Sequence, residues 1–356
     1  DDEVWIKGEG LDHWQEPKDI LDVGNSGTTM RLFLGVLAGC PFATTLTGDE
    51  SIRSRPMGRV TKPLVQMGAQ FLGRKKGTMA PLTVQGGDLQ GIDYNSPVAS
   101  AQIKSAILLA GLRASGETSV TEPNLSRDHT ERMLRGFGVP VISDGKKARI
   151  KGGGVLKGQK ISVQGDISSA AFFLVLGSLI PDGELLLKDV GINPTRTGIL
   201  DVLWQMGAQI QVENEREECG EPRGDLRIKP AELKGVEVKG EIIPRLIDEI
   251  PILAVAASMA KGETVIRDAA ELRVKETDRI RAVAEELRAL GADIEELEDG
   301  LRIIGKPLLQ GGKAKSYGDH RLAMAWAIVG LLSKEGVEVQ NMEVAEVSFP
   351  NFAKLL

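Results

Sequence analysis

Residues 59–73, RVTKPLVQMGAQFLG, read as an amphipathic helix that stops at Gly68 and runs into a strand. The same phrase returns in HTERMLRGFGVPVIS (129–143), TGILDVLWQMGAQIQV (197–212) and DRIRAVAEELRALGADIEEL (278–297). The terminal glycines, Gly68, Gly138, Gly207 and Gly291, stand 70, 69 and 84 residues apart. Internal periodicity of this kind outranks local propensity as a fold signal.

A second set of helices runs out of phase with the first. Five times a short polar cluster enters a long apolar run: GNSGTTMRLFLGVLAG (24–39), SAQIKSAILLAGL (100–112), GDISSAAFFLVLGSLI (165–180), IDEIPILAVAASMA (247–260) and GDHRLAMAWAIVGLL (318–332). Apolar residues around the whole circumference mark a helix shielded on all sides. A glycine turn and a β-rich run follow, as in GETSVTEP (116–123), GELLLKDV (183–190), GETVIRDA (262–269) and GVEVQNME (336–343). One unit of about 70 residues is therefore strand, buried helix, strand, amphipathic helix, strand, strand. The pattern predicts a mixed α and β (α+β) fold with helices layered inside sheets, in two lobes of up to three units each. The lobes are expected at 1–163 and 164–356, parting after the glycine-rich KGGGVLKGQK (151–160).

With 356 residues, 42% hydrophobic and 26% charged, the chain has the composition of a globular protein with two real cores. Its apolar runs are shorter than the roughly 20 residues a membrane helix needs. A net charge of −6 and 4% aromatic residues argue against nonspecific nucleic-acid binding, which needs a basic, stacking surface. Cys40 and Cys219 lie in no metal-spaced pattern, and His13, His129 and His320 do not cluster, so a reducing, cytoplasmic setting without a metal is expected. The opening DDEVWIKGEG has neither an initiator Met nor a leader, and a segment is expected to precede it.

The polar junctions carry the chemistry-bearing residues. A helix start presents unpaired N–H groups and the positive end of the macrodipole, a ready place for an anion. Gly27 allows close backbone approach, with Arg31 one turn into the helix. Arg55 precedes Pro56 in a kinked loop, and SAQIKS offers Ser100, Gln102 and Lys104, two neutral hydrogen-bonding groups with a cation, suited to a polyhydroxylated phosphorylated ligand. Asp248 enters an apolar helix, where a partly desolvated carboxylate suits proton transfer. On local sequence alone plain N-capping is the better reading of Asp248, and it applies to Asp166 and Asp319 as well. In ELRVKETDRI (271–280), Lys275 and Arg279 are four apart with Glu276 between them, two cations on one side beside a carboxylate. All four amphipathic helices have Arg in the preceding head, against the macrodipole, which points to binding of phosphate or carboxylate. His320 and Arg321 occupy the last junction, where a lone His is more often structural.

The ordered series GNSGTTMR, RSRPMGR, SAQIKS, SRDHTE, the Asp248 helix, RVKETDR, YGDHRLAMA and SFP resembles the 5-enolpyruvylshikimate-3-phosphate synthase family and covers the whole chain. The resemblance implies a two-lobed enolpyruvyl-transferase fold of about six βαβαββ repeats, the first largely missing here. It implies phosphoenolpyruvate and shikimate 3-phosphate bound between the lobes, lobe closure, a monomer, and no metal or organic cofactor. Matched residue by residue, Ser100, Gln102, Ser126, Asp248 and Lys275 fall at shikimate 3-phosphate. Gly27, Arg55, Gln102, Arg279 and Arg321 fall at phosphoenolpyruvate. Asp248 takes the proton of the 5-hydroxyl and Glu276 protonates the methylene carbon, with Lys275 as the third catalytic group. Gly27 implies sensitivity to glyphosate.

Three departures from the family pattern stand out. The lysine–serine motif of the first repeat, with its following arginine, is absent, so the chain by itself is expected to be nearly inactive unless the missing segment complements it. Val347 stands where many members have a lysine just before SFP, and Glu271 stands where some have Asn, so no binding role is given to Glu271. UDP-N-acetylglucosamine enolpyruvyl transferase is the nearest rival, but that family commonly places a reactive Cys before its Arg-Pro, whereas GDESIRSRP has none. A noncatalytic repeat scaffold would have helix heads of random polarity.

Overall fold

The computed structural model describes residues 3–356. The chain divides into two compact units, Asp1–Ile161 and Ser162–Leu356.

The first unit holds two copies of one motif. Strands Leu21–Asp22, Ala43–Thr47, Gln70–Gly73 and Met79–Gln85 form a sheet in lateral order first, second, fourth, third. The first pair is parallel and the other pairs antiparallel. Strands Asp93–Asn95, Glu117–Thr121, Val141–Asp144 and Lys147–Lys151 repeat that order and sense. The parallel pairs are joined by the helices Gly27–Leu37 and Ala101–Gly111, which pack on each other in the unit's main core. Gly35 is the contact point, since a Cβ there would lie 2.2 Å from the carbonyl oxygen of Ala106. Met30, Leu34, Ile103 and Ile107 are almost completely removed from water beside it. Each such side chain contributes about 1.5–3 kcal/mol of hydrophobic stabilisation.

The second unit repeats the motif with one full copy, in the order Glu237–Val238, Glu263–Ile266, Gly300–Ile304, Asp293–Leu297. Another copy is reduced: Leu185–Gly191 pairs with Glu221–Lys229, which pairs with Gln209–Glu218, while the first strand survives only as a bridge from Gly165 to Val190. The last parallel pair, Gly312–Lys315 with Val337–Gln340, is half a copy. Helices Ile167–Leu179, Ile250–Ser258 and His320–Leu332 connect these parallel strands and share one core. The long hairpin Gln209–Lys229 and the turns Gly240–Leu246 lie between Gly207 and Gly291 and account for the 84-residue spacing.

The repeated phrase has a physical cause. The four glycines after the amphipathic helices have φ of 114°, 89°, 95° and 100°, the left-handed conformation that glycine adopts without a Cβ clash. In every copy the next residue donates its N–H back five residues to a leucine carbonyl: Ala69 to Leu64, Val139 to Leu134, Ala208 to Leu203 and Ala292 to Leu287. These bonds satisfy orphan carbonyls at the helix end and turn the chain into the following strand. No helix among the described residues is long and apolar enough to cross a membrane.

Candidate active site

In the first unit the start of the helix Gly27–Leu37 gathers cations. Ser26 caps it, accepting the Thr29 N–H at 3.1 Å. Gly27 is buried, and a Cβ at that position would stand 3.1 Å from Arg55 Nη1 and 3.2 Å from Arg31 Nη1. The missing side chain is thus what lets two guanidinium groups flank one helix N-terminus. Arg31 Nη1 donates to Gln102 Oε1 at 2.6 Å, and Gln102 Nε2 donates to Thr28 Oγ1 at 2.8 Å. Arg55 Nη2 donates to Ser51 Oγ at 3.0 Å. Gly27, Arg55 and Gln102 therefore come together, and Arg31 joins them as the residue that orients Gln102. Two cations and a helix N-terminus can hold one small dianion.

Ser100 is half-buried at the start of the helix Ala101–Gly111, and its hydroxyl makes no capping bond. Its N–H donates to Glu122 Oε1 at 3.0 Å. The buried Ser126 donates its hydroxyl to the same oxygen at 2.6 Å, so one carboxylate joins the two serines. Lys104 corrects the sequence expectation. It lies on the inward face of its helix, 2% exposed, with Nζ 2.9 Å from Glu122 Oε2 and 2.8 Å from Glu131 Oε1. Burial opposes its charge, but Glu131 and Glu122 more than offset this and raise its pKa, so it is a structural cation and not a ligand-facing one.

In the second unit the head 271–280 builds the denser cluster. Lys275 ends the turn Ala270–Val274 and Arg279 begins the helix Arg279–Ala289, whose cap Asp278 accepts the Arg281 N–H. Both cations reach one carboxylate: Lys275 Nζ donates to Asp248 Oδ1 at 3.2 Å, and Arg279 Nη1 lies 3.5 Å from the same oxygen. Arg279 Nη2 donates to Glu276 Oε2 at 2.6 Å, and Nε donates to Asp319 Oδ2 at 2.7 Å. Arg279 is 1% exposed, and its Nη1 has no hydrogen-bond partner among the described residues. Burial works against its charge, yet Asp319 and Glu276 keep its pKa above the ordinary value. The arrangement offers a buried donor for an anion beside a carboxylate that can give a proton and another that can take one.

The three aspartates that local sequence leaves equivalent separate here. Asp319 caps the helix His320–Leu332 through the Arg321 N–H and also grips Arg279. Asp166 stands at the cap position of its helix without a capping bond and accepts from Arg196 Nη2 at 3.0 Å. Asp248 is not a cap: Glu249 holds that position and Asp248 faces the two cations. Arg321 is half-buried, and no hydrogen bond or ion pair engages its guanidinium among the described residues. His320 beside it has its pKa lowered by burial and by Arg321. Val347 is 66% exposed at the end of the turn Met342–Val347. Sequence reasoning missed the role of Glu122, which joins two elements of one repeat, and that of Asp319 towards Arg279, which joins different repeats.

The family model for EPSP synthase (3-phosphoshikimate 1-carboxyvinyltransferase) matches residues 1–356. The chain belongs to the EPSP synthase family. A 3-phosphoshikimate 1-carboxyvinyltransferase of Desulfitobacterium hafniense (strain DSM 10664 / DCB-2) is 71% identical over 356 residues, covering 100% of this chain and 82% of the relative. One of Bacillus pumilus (strain SAFR-032) is 57% identical over 351 residues, covering 98% of this chain and 82% of the relative. An EPSP synthase structure from Acinetobacter baumannii superposes with a TM-score of 0.87 at 47% identity, covering 98% of this chain and 80% of that one. The mixed α and β fold expected from the repeats, and the enolpyruvyl-transferase fold implied by the resemblance, are therefore those of this EPSP synthase family member, and the scaffold alternative falls away.

Proposed function

We propose that this chain transfers the enolpyruvyl group of phosphoenolpyruvate to the 5-hydroxyl of shikimate 3-phosphate, with release of phosphate. What carries this reading is 71% identity over the whole chain to a relative named 3-phosphoshikimate 1-carboxyvinyltransferase. The cluster of Asp248, Lys275 and Glu276 around the buried Arg279 supplies side chains fit for the chemistry.

In this proposal Ser100, Gln102, Ser126, Asp248 and Lys275 take shikimate 3-phosphate. Gly27, Arg55, Gln102, Arg279 and Arg321 take phosphoenolpyruvate, joined by Arg31 as the orienting partner of Gln102. Glu276 delivers a proton to the methylene carbon, which makes the adjacent carbon electrophilic; Asp248 takes the proton from the 5-hydroxyl as that oxygen attacks. Collapse of the tetrahedral adduct breaks the carbon–oxygen bond and restores the double bond, and the cations stabilise the departing phosphate. The proton delivered by Glu276 returns from the methyl group in that second half. Since carbon–oxygen and not phosphorus–oxygen cleavage occurs, the bridging oxygen must leave with phosphate. Phosphoenolpyruvate labelled with heavy oxygen at the bridge tests this: label in released phosphate supports the reading, and label retained in the organic product contradicts it. We further propose that the protein works as a cytoplasmic monomer, in keeping with small diffusible substrates and with Cys40 and Cys219 present as thiols.

A further inference from the structure

Lys104 and its two carboxylates are among the buried charged groups that the proposed mechanism does not use. Lys104, Glu122 and Glu131 are 2%, 3% and 2% exposed. Burying three ionisable groups is costly, so their arrangement calls for a reason beyond filling space. The reason lies in what the Glu122 carboxylate touches. Its Oε1 accepts the Ser100 N–H at 3.0 Å and the Ser126 hydroxyl at 2.6 Å, and its Oε2 accepts Lys104 at 2.9 Å and the Ser126 N–H at 3.4 Å. The four donors come from two elements: the start of the helix Ala101–Gly111, which supplies Ser100 and Lys104, and the loop after the strand Glu117–Thr121, which supplies both Ser126 groups. The Glu122 N–H is itself pinned to the Lys146 carbonyl at 2.9 Å, in the turn between the last two strands of that sheet.

From this geometry we infer that Glu122 is a positioning residue for shikimate 3-phosphate, holding Ser100 and Ser126 at a fixed separation while Lys104 neutralises and aims its carboxylate. The inference rests on the proposed placement of both serines at that substrate. A carboxylate accepting from two backbone amides and a hydroxyl at once orders both serines before the ligand arrives, which lowers the entropy of ordering charged to binding. Glu131 provides an internal comparison, because it contacts the same Lys104 ammonium and neither serine. Its other oxygen, Oε2, is buried without a hydrogen-bond partner among the described residues.

Glu122→Gln keeps one acceptor oxygen and turns the other into an amide donor among four donors, so the side chain can no longer serve Lys104 and both serines together, while Lys104 keeps Glu131. Glu131→Gln disturbs Lys104 to a similar degree and leaves the serines tied. In the full-length protein, Glu122→Gln is expected to raise the Kd for shikimate 3-phosphate about tenfold, with the KM for phosphoenolpyruvate within twofold. Amide exchange at Ser100 and Ser126 is expected to speed up in the same variant without any ligand present. Glu131→Gln is expected to leave the Kd and both exchange rates within twofold, whatever it does to the melting temperature. Equal losses for both substrates, equal effects of the two variants, or unaltered exchange at both serines in Glu122→Gln would overturn the inference. If Glu122→Gln does not fold, Glu122→Asp shortens the same reach by one methylene and must show the same selective pattern. Failure of the unaltered protein to bind shikimate 3-phosphate would overturn the functional reading and the substrate assignment with it, whereas the exchange measurement still decides whether Glu122 orders the two serines.

Discussion

Arg279 and Asp319, forty positions apart, form a two-pronged buried pair: Nε to Oδ2 at 2.7 Å and Nη2 to Oδ1 at 3.3 Å, with the side chains 1% and 0% exposed. The pair joins the start of one helix to the start of another, so the guanidinium nearest Asp248 is fixed by a residue of the next repeat.

Removing the carboxylate leaves a buried cation short of a partner. Asp319→Ala is expected to destabilise the protein by about 3–5 kcal/mol, and Asp319→Asn by less, since the amide oxygen can still cap the helix. Urea denaturation of both variants checks this; equal losses would mean that the cap contributes nothing.

Arg279→Lys keeps the charge and loses the fork. A lysine cannot serve Asp319 through two nitrogens and Glu276 at once, so the remaining ammonium is misplaced towards phosphoenolpyruvate. The KM for phosphoenolpyruvate is expected to rise tenfold or more, with the Kd for shikimate 3-phosphate changed by less than threefold. Steady-state kinetics with each substrate varied in turn reads the split.

Gly27→Ala tests the cationic helix start. The added methyl meets two guanidinium ends at 3.1 and 3.2 Å, tight distances that flexible side chains relieve by moving a few tenths of an ångström. Folding should survive, the KM for phosphoenolpyruvate should rise severalfold, and glyphosate, if it binds at this helix start, should inhibit the variant less. A melting temperature lowered by more than about 4 °C would show that the methyl is not accommodated.

Much of this was legible in the residues, and the boundary of legibility is physical. The five apolar helices and four glycine caps are written locally, because circumference, period and left-handed turns are properties of consecutive residues. Lys275, Glu276 and Arg279 fall within five consecutive positions and are readable as a cluster, whereas Arg55 and Gly27 share a site in the sequence only through the family resemblance. The partners of Lys104 were not, since Glu122 and Glu131 arrive from another strand and helix of the same repeat. Asp319 was readable as a helix cap but not as the anchor of Arg279, because nothing local encodes a contact across forty positions.

His320 gives a pH dependence of definite sign. Its folded pKa lies below the ordinary value near 6.5, through burial and the neighbouring Arg321, so the unfolded chain binds the proton more readily. Its contribution to stability is present above about pH 6.5 and is lost as pH falls towards the folded pKa. Urea midpoints measured from pH 7.5 to 5 should fall more steeply for the unaltered protein than for His320→Gln; parallel curves would remove His320 from the account.

The central claim is acceptor-dependent cleavage of phosphoenolpyruvate, and the most direct measurement is phosphate release by the full-length polypeptide with each candidate acceptor. Steady release with shikimate 3-phosphate and none with UDP-N-acetylglucosamine is the predicted result. Release driven by UDP-N-acetylglucosamine, or equal release without any acceptor, would contradict it.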